Sequence, residues 1–285
     1  MKVEGAKAIV TGGSSGIGLA TAELLASKGA DVGLVARDAD RLAKAARTVM
    51  KARRSESQRV WTATCDVTDF EAVWQTFDRF ETEIGECDVL VNSAGIFLPA
   101  YFETMPMEWF SEHLDIDVLG IIYSCRAVVP RMSARGRGHI VNVSSMAGFM
   151  GFFGYTAYST AKYAVMGFSE SLRAEMKPLG IGVTVVCPPD VDTPGLAVER
   201  SLRPAELEQV LGSHPPIQPS VVAAALVRGV ERNKYLVIPG FTNKFYYLLK
   251  GIWPGLFFMI TDSDVRKARA TVEAESHPGP HEELS

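Results

Sequence analysis

Tyr158 and Lys162 stand four residues apart in Tyr158-Ser159-Thr160-Ala161-Lys162, and on a helix that spacing puts a phenol and an ammonium on one face. Hydride addition to a ketone makes an alkoxide that needs a proton as it forms. A tyrosine titrating at its ordinary value of about 10 exchanges protons slowly at neutral pH. A neighbouring cation favours the phenolate and lowers that value, which fits the pair for general acid–base work. Thirteen residues before Tyr158, Ser144-Ser145 closes a short β-branched run. At a strand end, the Ser145 hydroxyl can hydrogen-bond a substrate oxygen while charge builds on it. Taken singly these signals are cheap: Y-x-x-x-K recurs on surface helices, and paired serines are ordinary turn chemistry. Tyr155 has no lysine four residues on and is the weaker candidate.

A second piece of chemistry lies near the N-terminus. Thr11-Gly12-Gly13-Ser14-Ser15-Gly16-Ile17-Gly18 follows one strand-like run and opens a helical one. Glycines let the backbone approach a pyrophosphate closely, and the helix N-terminus offers it unpaired N–H groups. Gly12, Ser14, Ser15, Gly16, Ile17 and Gly18 are therefore expected to contact a dinucleotide. An acidic residue at the end of the second strand would select NAD by binding the ribose 2′-hydroxyl; the chain has Ala36-Arg37 there. A guanidinium suits a 2′-phosphate, so the expected cofactor is NADP(H). Asp38 follows at once, and a small shift in register would reverse that assignment.

Elements must hold these groups together. Short β-branched runs at 7–10, 31–36, 59–65, 89–92, 139–143, 182–187 and 235–238 alternate with helical stretches at 17–28, 41–53, 70–83, 109–135 and 157–177. That alternation predicts right-handed βαβ units, hence an α/β fold: a Rossmann-type, doubly wound parallel sheet of about seven strands in one domain over 1–240. A proline-rich excursion at about 188–219 follows the sixth strand, where substrate sites are commonly built. Residues 241–270 are aromatic-rich, and 271–285 are expected to be a disordered tail.

Composition excludes several classes. The 285 residues are 47% hydrophobic and 22% charged with net charge −4, an ordinary globular balance with no pull toward nucleic acid. The cluster from Lys51 to Arg54 suits a solvated helix end. Cys65, Cys87, Cys125 and Cys187 form no paired or metal-binding pattern, so no metal is expected and a reducing, cytoplasmic setting fits. The N-terminus lacks a signal-peptide shape, and no uninterrupted apolar run of about 18 residues suggests a membrane span.

The phosphate loop, Asn92-Ser93-Ala94-Gly95, Ser144-Ser145 and Tyr158-x-x-x-Lys162 occur in the order and approximate spacing of the short-chain dehydrogenase/reductase family, which the chain resembles over about 5–195. The resemblance implies an oxidoreductase acting on CH–OH groups, with Ser145, Tyr158 and Lys162 catalytic. It further implies cofactor contacts from Asp66 and Val67 after the third strand, from Asn92, Ala94 and Gly95 after the fourth, from Tyr158 and Lys162, and from Pro188, Val191 and Thr193 after the sixth. Where the family usually has a relay asparagine in its long central helix, this chain has Asp117, whose charge favours a protonated Lys162. Pro188-Pro189 replaces the usual Pro-Gly. Relatives pair their long central helices, so a homodimer or homotetramer is expected. Tyr101 to Pro106, Phe153 to Tyr158 and Pro188-Pro189-Asp190-Val191-Asp192-Thr193-Pro194-Gly195 resemble members that reduce a 3-ketosphingoid base at the cytoplasmic face of a membrane. That implies a lipid-like ketone substrate; the alternatives are a steroid, retinoid or 3-ketoacyl substrate, or an NADP-sensing protein without chemistry. Residues 241–260, with aromatics interleaved by Lys244 and Lys250, suit an interfacial segment or a lid over a lipid tail, and suit packing on the body or a partner subunit equally well.

Overall fold

The computed structural model describes residues 1–211 and 215–276. Seven parallel strands form one sheet in the order β3-β2-β1-β4-β5-β6-β7. They are β1 (Lys7–Thr11), β2 (Asp31–Ala36), β3 (Val60–Thr64), β4 (Val89–Asn92), β5 (Gly138–Val143), β6 (Ile181–Val186) and β7 (Leu236–Val237). The central strands are near-continuous aliphatic runs because helices cover both faces, so every side chain along them is buried. Each crossover carries the chain outward from β1 toward β3 before it returns to the far side of β1 at β4. That reversal opens a crevice beyond the carboxyl ends of β1 and β4, where sheets of this kind hold ligands.

The covering helices are α1 (Gly16–Ser27), α2 (Ala39–Ala52), α3 (Phe70–Glu83), α4 (Met107–His113), α5 (Gly120–Arg135), α6 (Thr156–Met176), α7 (Pro194–Arg200), α8 (Ala205–Leu211), α9 (Pro219–Glu231), α10 (Phe241–Ile252) and α11 (Pro254–Ser276). On one face, Ala22, Leu25 and Ala26 of α1 and Val222, Leu226 and Val230 of α9 pack on Val10, Val32 and Val91. On the other, Phe77 and Phe80 of α3, Val128 and Met132 of α5 and Val165 of α6 cover Ile9, Leu90 and Ile140. Cutting one such side chain back to alanine costs about 2–5 kcal/mol, since the packed surroundings cannot refill the space.

Two expectations need correction. The helix expected over 109–135 is interrupted by a π-helical turn, Leu114–Leu119, between α4 and α5. A single widened turn leaves the apolar periodicity on either side intact, so the sequence pattern does not betray it. Residues 271–276, expected to belong to a disordered tail, complete α11, continuing its run of alanine and glutamate helix formers. Residues 277–285, and 212–214 within the expected substrate excursion, lie outside the described residues.

Candidate active site

A cavity of about 850 Å³ opens beyond the carboxyl ends of the strands. Its floor is the loop between β1 and α1. Gly12 has φ +67, and a Cβ there would lie 2.6 Å from the backbone nitrogen of Ala94, so only glycine lets this turn close against the loop after β4. Thr11 Oγ1 accepts from Ser93 N at 3.3 Å and helps hold the two loops together. Ser15 caps α1 in an extended conformation with no side-chain capping bond. The first N–H groups of α1 thus lack a side-chain acceptor from the cap, and Ser14, Ser15, Gly16 and Ile17 line the cavity beside them. A close-packed glycine turn feeding an uncapped twelve-residue helix fits a pyrophosphate. Gly18 lies outside the cavity wall, packed on the Gly12 carbonyl.

Arg37, Asp66 and Val67 line the cavity from the ends of β2 and β3. Asp38 lines it too, and its Oδ1 accepts from Arg41 N at 2.9 Å, capping α2. Arg41 also lines the cavity, so two guanidinium groups border it where one was expected. Asp66 Oδ1 accepts from Thr68 N at 3.0 Å, which fixes that carboxylate at the wall.

Ala94, Gly95, Ser145, Tyr158 and Lys162 meet at one end of the cavity. The serine pair divides its work. Ser144 turns inward and donates to the Lys162 carbonyl at 3.1 Å, while Ser145 faces the cavity, its Oγ accepting from Ala147 N at 3.1 Å. The Lys162 ammonium lies 5.5 Å from the centroid of the Tyr158 ring, donates to Val143 O at 3.3 Å and sits 3.4 Å from Asp117 Oδ1. Phe97, His113 and Tyr155 pack around the phenol with ring centroids 6.0, 6.0 and 5.6 Å away. Burial pushes the Tyr158 phenol above its usual range; a hydrogen bond with Ser145 opposes this, and the charges of Asp117, Asp190 and Glu199 reinforce it. Burial, and not the expected lowering by Lys162, is the dominant effect.

Asp117 sits in the π-helical turn, fully buried and outside the cavity wall. Its Oδ1 accepts from Ile96 N at 3.1 Å and meets Lys162, while Oδ2 is buried without a partner. Burial raises the carboxyl's pKa, opposed first by Lys162. A Cβ on Gly95 would lie 2.5 Å from Oδ1, so a glycine is needed to seat the carboxylate. Asn92 also differs from expectation. It is buried in β4 and donates to Asn142 Oδ1 at 2.9 Å, away from the cavity, and Ser93 lines the wall instead.

Pro188, Val191 and Thr193 also line the cavity; Thr193 packs against Gly16, and its Oγ1 accepts from Leu196 N at 3.2 Å and caps α7. Sequence reasoning missed Asp190, whose partner Arg203 is thirteen residues away. The C-terminal helices also close the cavity, through Phe241 and Tyr246 of α10 and Phe258 of α11. Lys250 Nζ ties α10 to the body through Phe149 O at 2.6 Å. Leu207 and Val210 of α8 add apolar lining, alongside the polar Thr242, Asn243, Asp262 and Asp264.

Residues 6–203 match the family model described as short chain dehydrogenase. A 3-dehydrosphinganine reductase of Danio rerio is 39% identical over 236 residues, covering 82% of this chain and 71% of the relative. A 3-ketodihydrosphingosine reductase of Dictyostelium discoideum is 33% identical over 273 residues, covering 90% and 80%. Among solved structures, a levodione reductase superposes with a TM-score of 0.76 at 25% identity, covering 84% of this chain and 98% of that one. With its phosphate loop, its Ser145–Tyr158–Lys162 cluster and its parallel sheet, the chain belongs to the short chain dehydrogenase family.

Proposed function

We propose that the protein reduces the 3-keto group of a long-chain sphingoid base, 3-ketosphinganine to sphinganine, with NADPH. The observation that carries this reading is one continuous cavity. It holds Ser145, Tyr158 and Lys162 at its polar end and is walled by Leu207, Val210, Tyr246 and Phe258, a surface for an alkyl chain. The names of the similar reductases support it.

NADPH, when bound, supplies the hydride. The α1 N-terminus and the Gly12 turn hold its pyrophosphate, and Arg37 with Arg41 holds the 2′-phosphate. Asp38 lies beside them with Oδ1 engaged as the α2 cap, and the two guanidinium groups outnumber its one carboxylate. Asp66 and Val67 flank the adenine, Ala94 and Gly95 border the cofactor, and Pro188, Val191 and Thr193 face it across the cavity. Ser145 donates a hydrogen bond to the substrate oxygen. Tyr158, whose raised pKa keeps the phenol protonated at neutral pH, delivers the proton. Lys162, positioned by Asp117 at 3.4 Å, stabilises the negative charge left on Tyr158.

Exposed aromatics on α10, on α11 and at the joint between them, among them Phe245, Phe258 and Trp253, support a peripheral seat at the cytoplasmic face of a membrane. Among the described residues no helix is long and apolar enough to cross one. Phe70 and Trp74 of α3 are exposed beside Tyr123 of α5, which supports pairing of two copies along the central helices.

The reading is tested by NADPH oxidation with 3-ketosphinganine, a 3-ketoacyl thioester and a steroid ketone. The expected order puts 3-ketosphinganine first in kcat/KM, by about tenfold or more. Equal or better turnover of either other ketone removes the sphingoid assignment.

A further inference from the structure

The substrate end of the cavity carries more negative charge than its surroundings neutralise. Arg203, its side chain 1% exposed, is held by Glu199 Oε1 at 2.7 Å, Asp190 Oδ2 at 2.8 Å and Glu208 Oε2 at 3.0 Å. Glu208 is 54% exposed, so water screens it. Glu199 is fully buried and Asp190 two-thirds buried, which leaves one guanidinium facing two sheltered carboxylates. Tyr155 donates its hydroxyl to Glu199 and brings no charge. Glu199 Oε2 is buried without a hydrogen-bond partner. Among the described residues no second cation pairs with Asp190 or Glu199.

Asp190 is the charged member of this network that lines the cavity, together with Tyr155, Ser145 and Tyr158. Its position is fixed from both sides. The Pro188 carbonyl accepts from Met146 N at 3.0 Å, next to Ser145, and the Asp190 carbonyl accepts from Ile217 N at 3.0 Å. Arg203 engages Oδ2. An uncompensated anion beside a ketone works against hydride transfer, because the oxygen acquires negative charge as the reaction proceeds. The arrangement becomes favourable when the substrate itself brings a cation close to its carbonyl.

We propose that Asp190, oriented by Arg203 and backed by Glu199, is a specificity-determining residue that binds an ammonium group carried on the carbon next to the reacting ketone. The inference rests on the sphingoid reading and deepens it, since 3-ketosphinganine bears an ammonium at C2 beside the C3 carbonyl. It assigns the preference for an aminoketone to one carboxylate, and leaves the alkyl chain to the apolar walls.

The test compares full-length wild type, Asp190→Asn and Asp190→Glu with NADPH and two ketones of equal chain length, 3-ketosphinganine and its desamino analogue 1-hydroxyoctadecan-3-one. Wild type is expected to favour the aminoketone in kcat/KM by about tenfold or more, the scale of one sheltered charge pair. Asp190→Asn is expected to erase most of that ratio, mainly through KM for the aminoketone, and Asp190→Glu to restore it. NADPH affinity and melting temperature of each variant report whether the fold survives. Equal losses on both ketones in Asp190→Asn make the residue structural and overturn the proposal. Absence of any wild-type preference overturns it too, and decides the matter should the asparagine variant fail to fold. If wild type reduces a 3-ketoacyl thioester but neither long-chain ketone, the sphingoid reading fails and takes this inference with it. Good turnover of 3-ketosphinganine without a role for Asp190 sinks the inference alone.

Discussion

At Arg37 and Asp38, two adjacent side chains of opposite charge bear on the cofactor choice. Both line the cavity with Arg41, and the Asp38 carboxylate also caps the first turn of α2. Arg37→Glu should raise the KM for NADPH at least about tenfold and that for NADH much less, as steady-state kinetics with both cofactors will record. A wild type that prefers NADH contradicts the assignment. Asp117 makes a different point. Its ionised carboxylate raises the Tyr158 pKa, and the acid is active only while protonated. Replacing it by asparagine removes that contribution, so the alkaline limb of the kcat/KM profile should move to lower pH. An unmoved limb contradicts the Asp117–Lys162–Tyr158 coupling. Catalytic side chains were legible in the sequence because each lies at a strand end or on one helix face, with local spacing that chemistry constrains. Asp190, Glu199 and Arg203 were not, because they meet only when a loop and two helices fold over the cavity.

Strands β1, β2, β4, β5 and β6 could be read from their largely buried aliphatic runs, and the half-exposed edge strand β3 from its β-branched and aromatic residues. The π-helical turn that seats Asp117 could not, and Asn92 was misplaced by a motif that does not say which face of β4 it occupies. His139 shows what a buried strand position does to a titratable group. Burial pushes it down to about 4, against about 6.5 in an unfolded chain. Between those values the unfolded chain binds more protons, so the associated stability is fully present above about pH 6.5 and lost as pH falls toward about 4. Its upper limit is on the order of 3 kcal/mol. His139→Gln should flatten the dependence of the urea midpoint on pH across that window; an unchanged slope shows that other groups govern acid unfolding.

For the whole molecule, the cavity joins the dinucleotide-binding half of the sheet to the C-terminal helices. The aromatics of α10 and α11 serve both sides: Tyr246 and Phe258 reach the cavity wall, and Phe257 is buried against the body, while Phe245 and Trp253 face outward. Composition showed an amphipathic, aromatic segment but left its partner open, because a lid and an interfacial helix need the same residues. A protein that collects a lipid from a bilayer is served by both. Phe245→Ser with Trp253→Ser should lower partition onto phosphatidylcholine–phosphatidylserine vesicles about tenfold in a sedimentation assay, with cofactor affinity retained. Failure of wild type to bind such vesicles contradicts the peripheral seat.

In the proposed reaction a buried phenol hands its proton to an oxygen receiving hydride. Turnover of 3-ketosphinganine at saturating NADPH, compared between wild type and Tyr158→Phe, isolates that step. A loss of at least about a hundredfold is expected, with NADPH affinity within about twofold of wild type. A phenylalanine variant that turns over at a rate near wild type contradicts it.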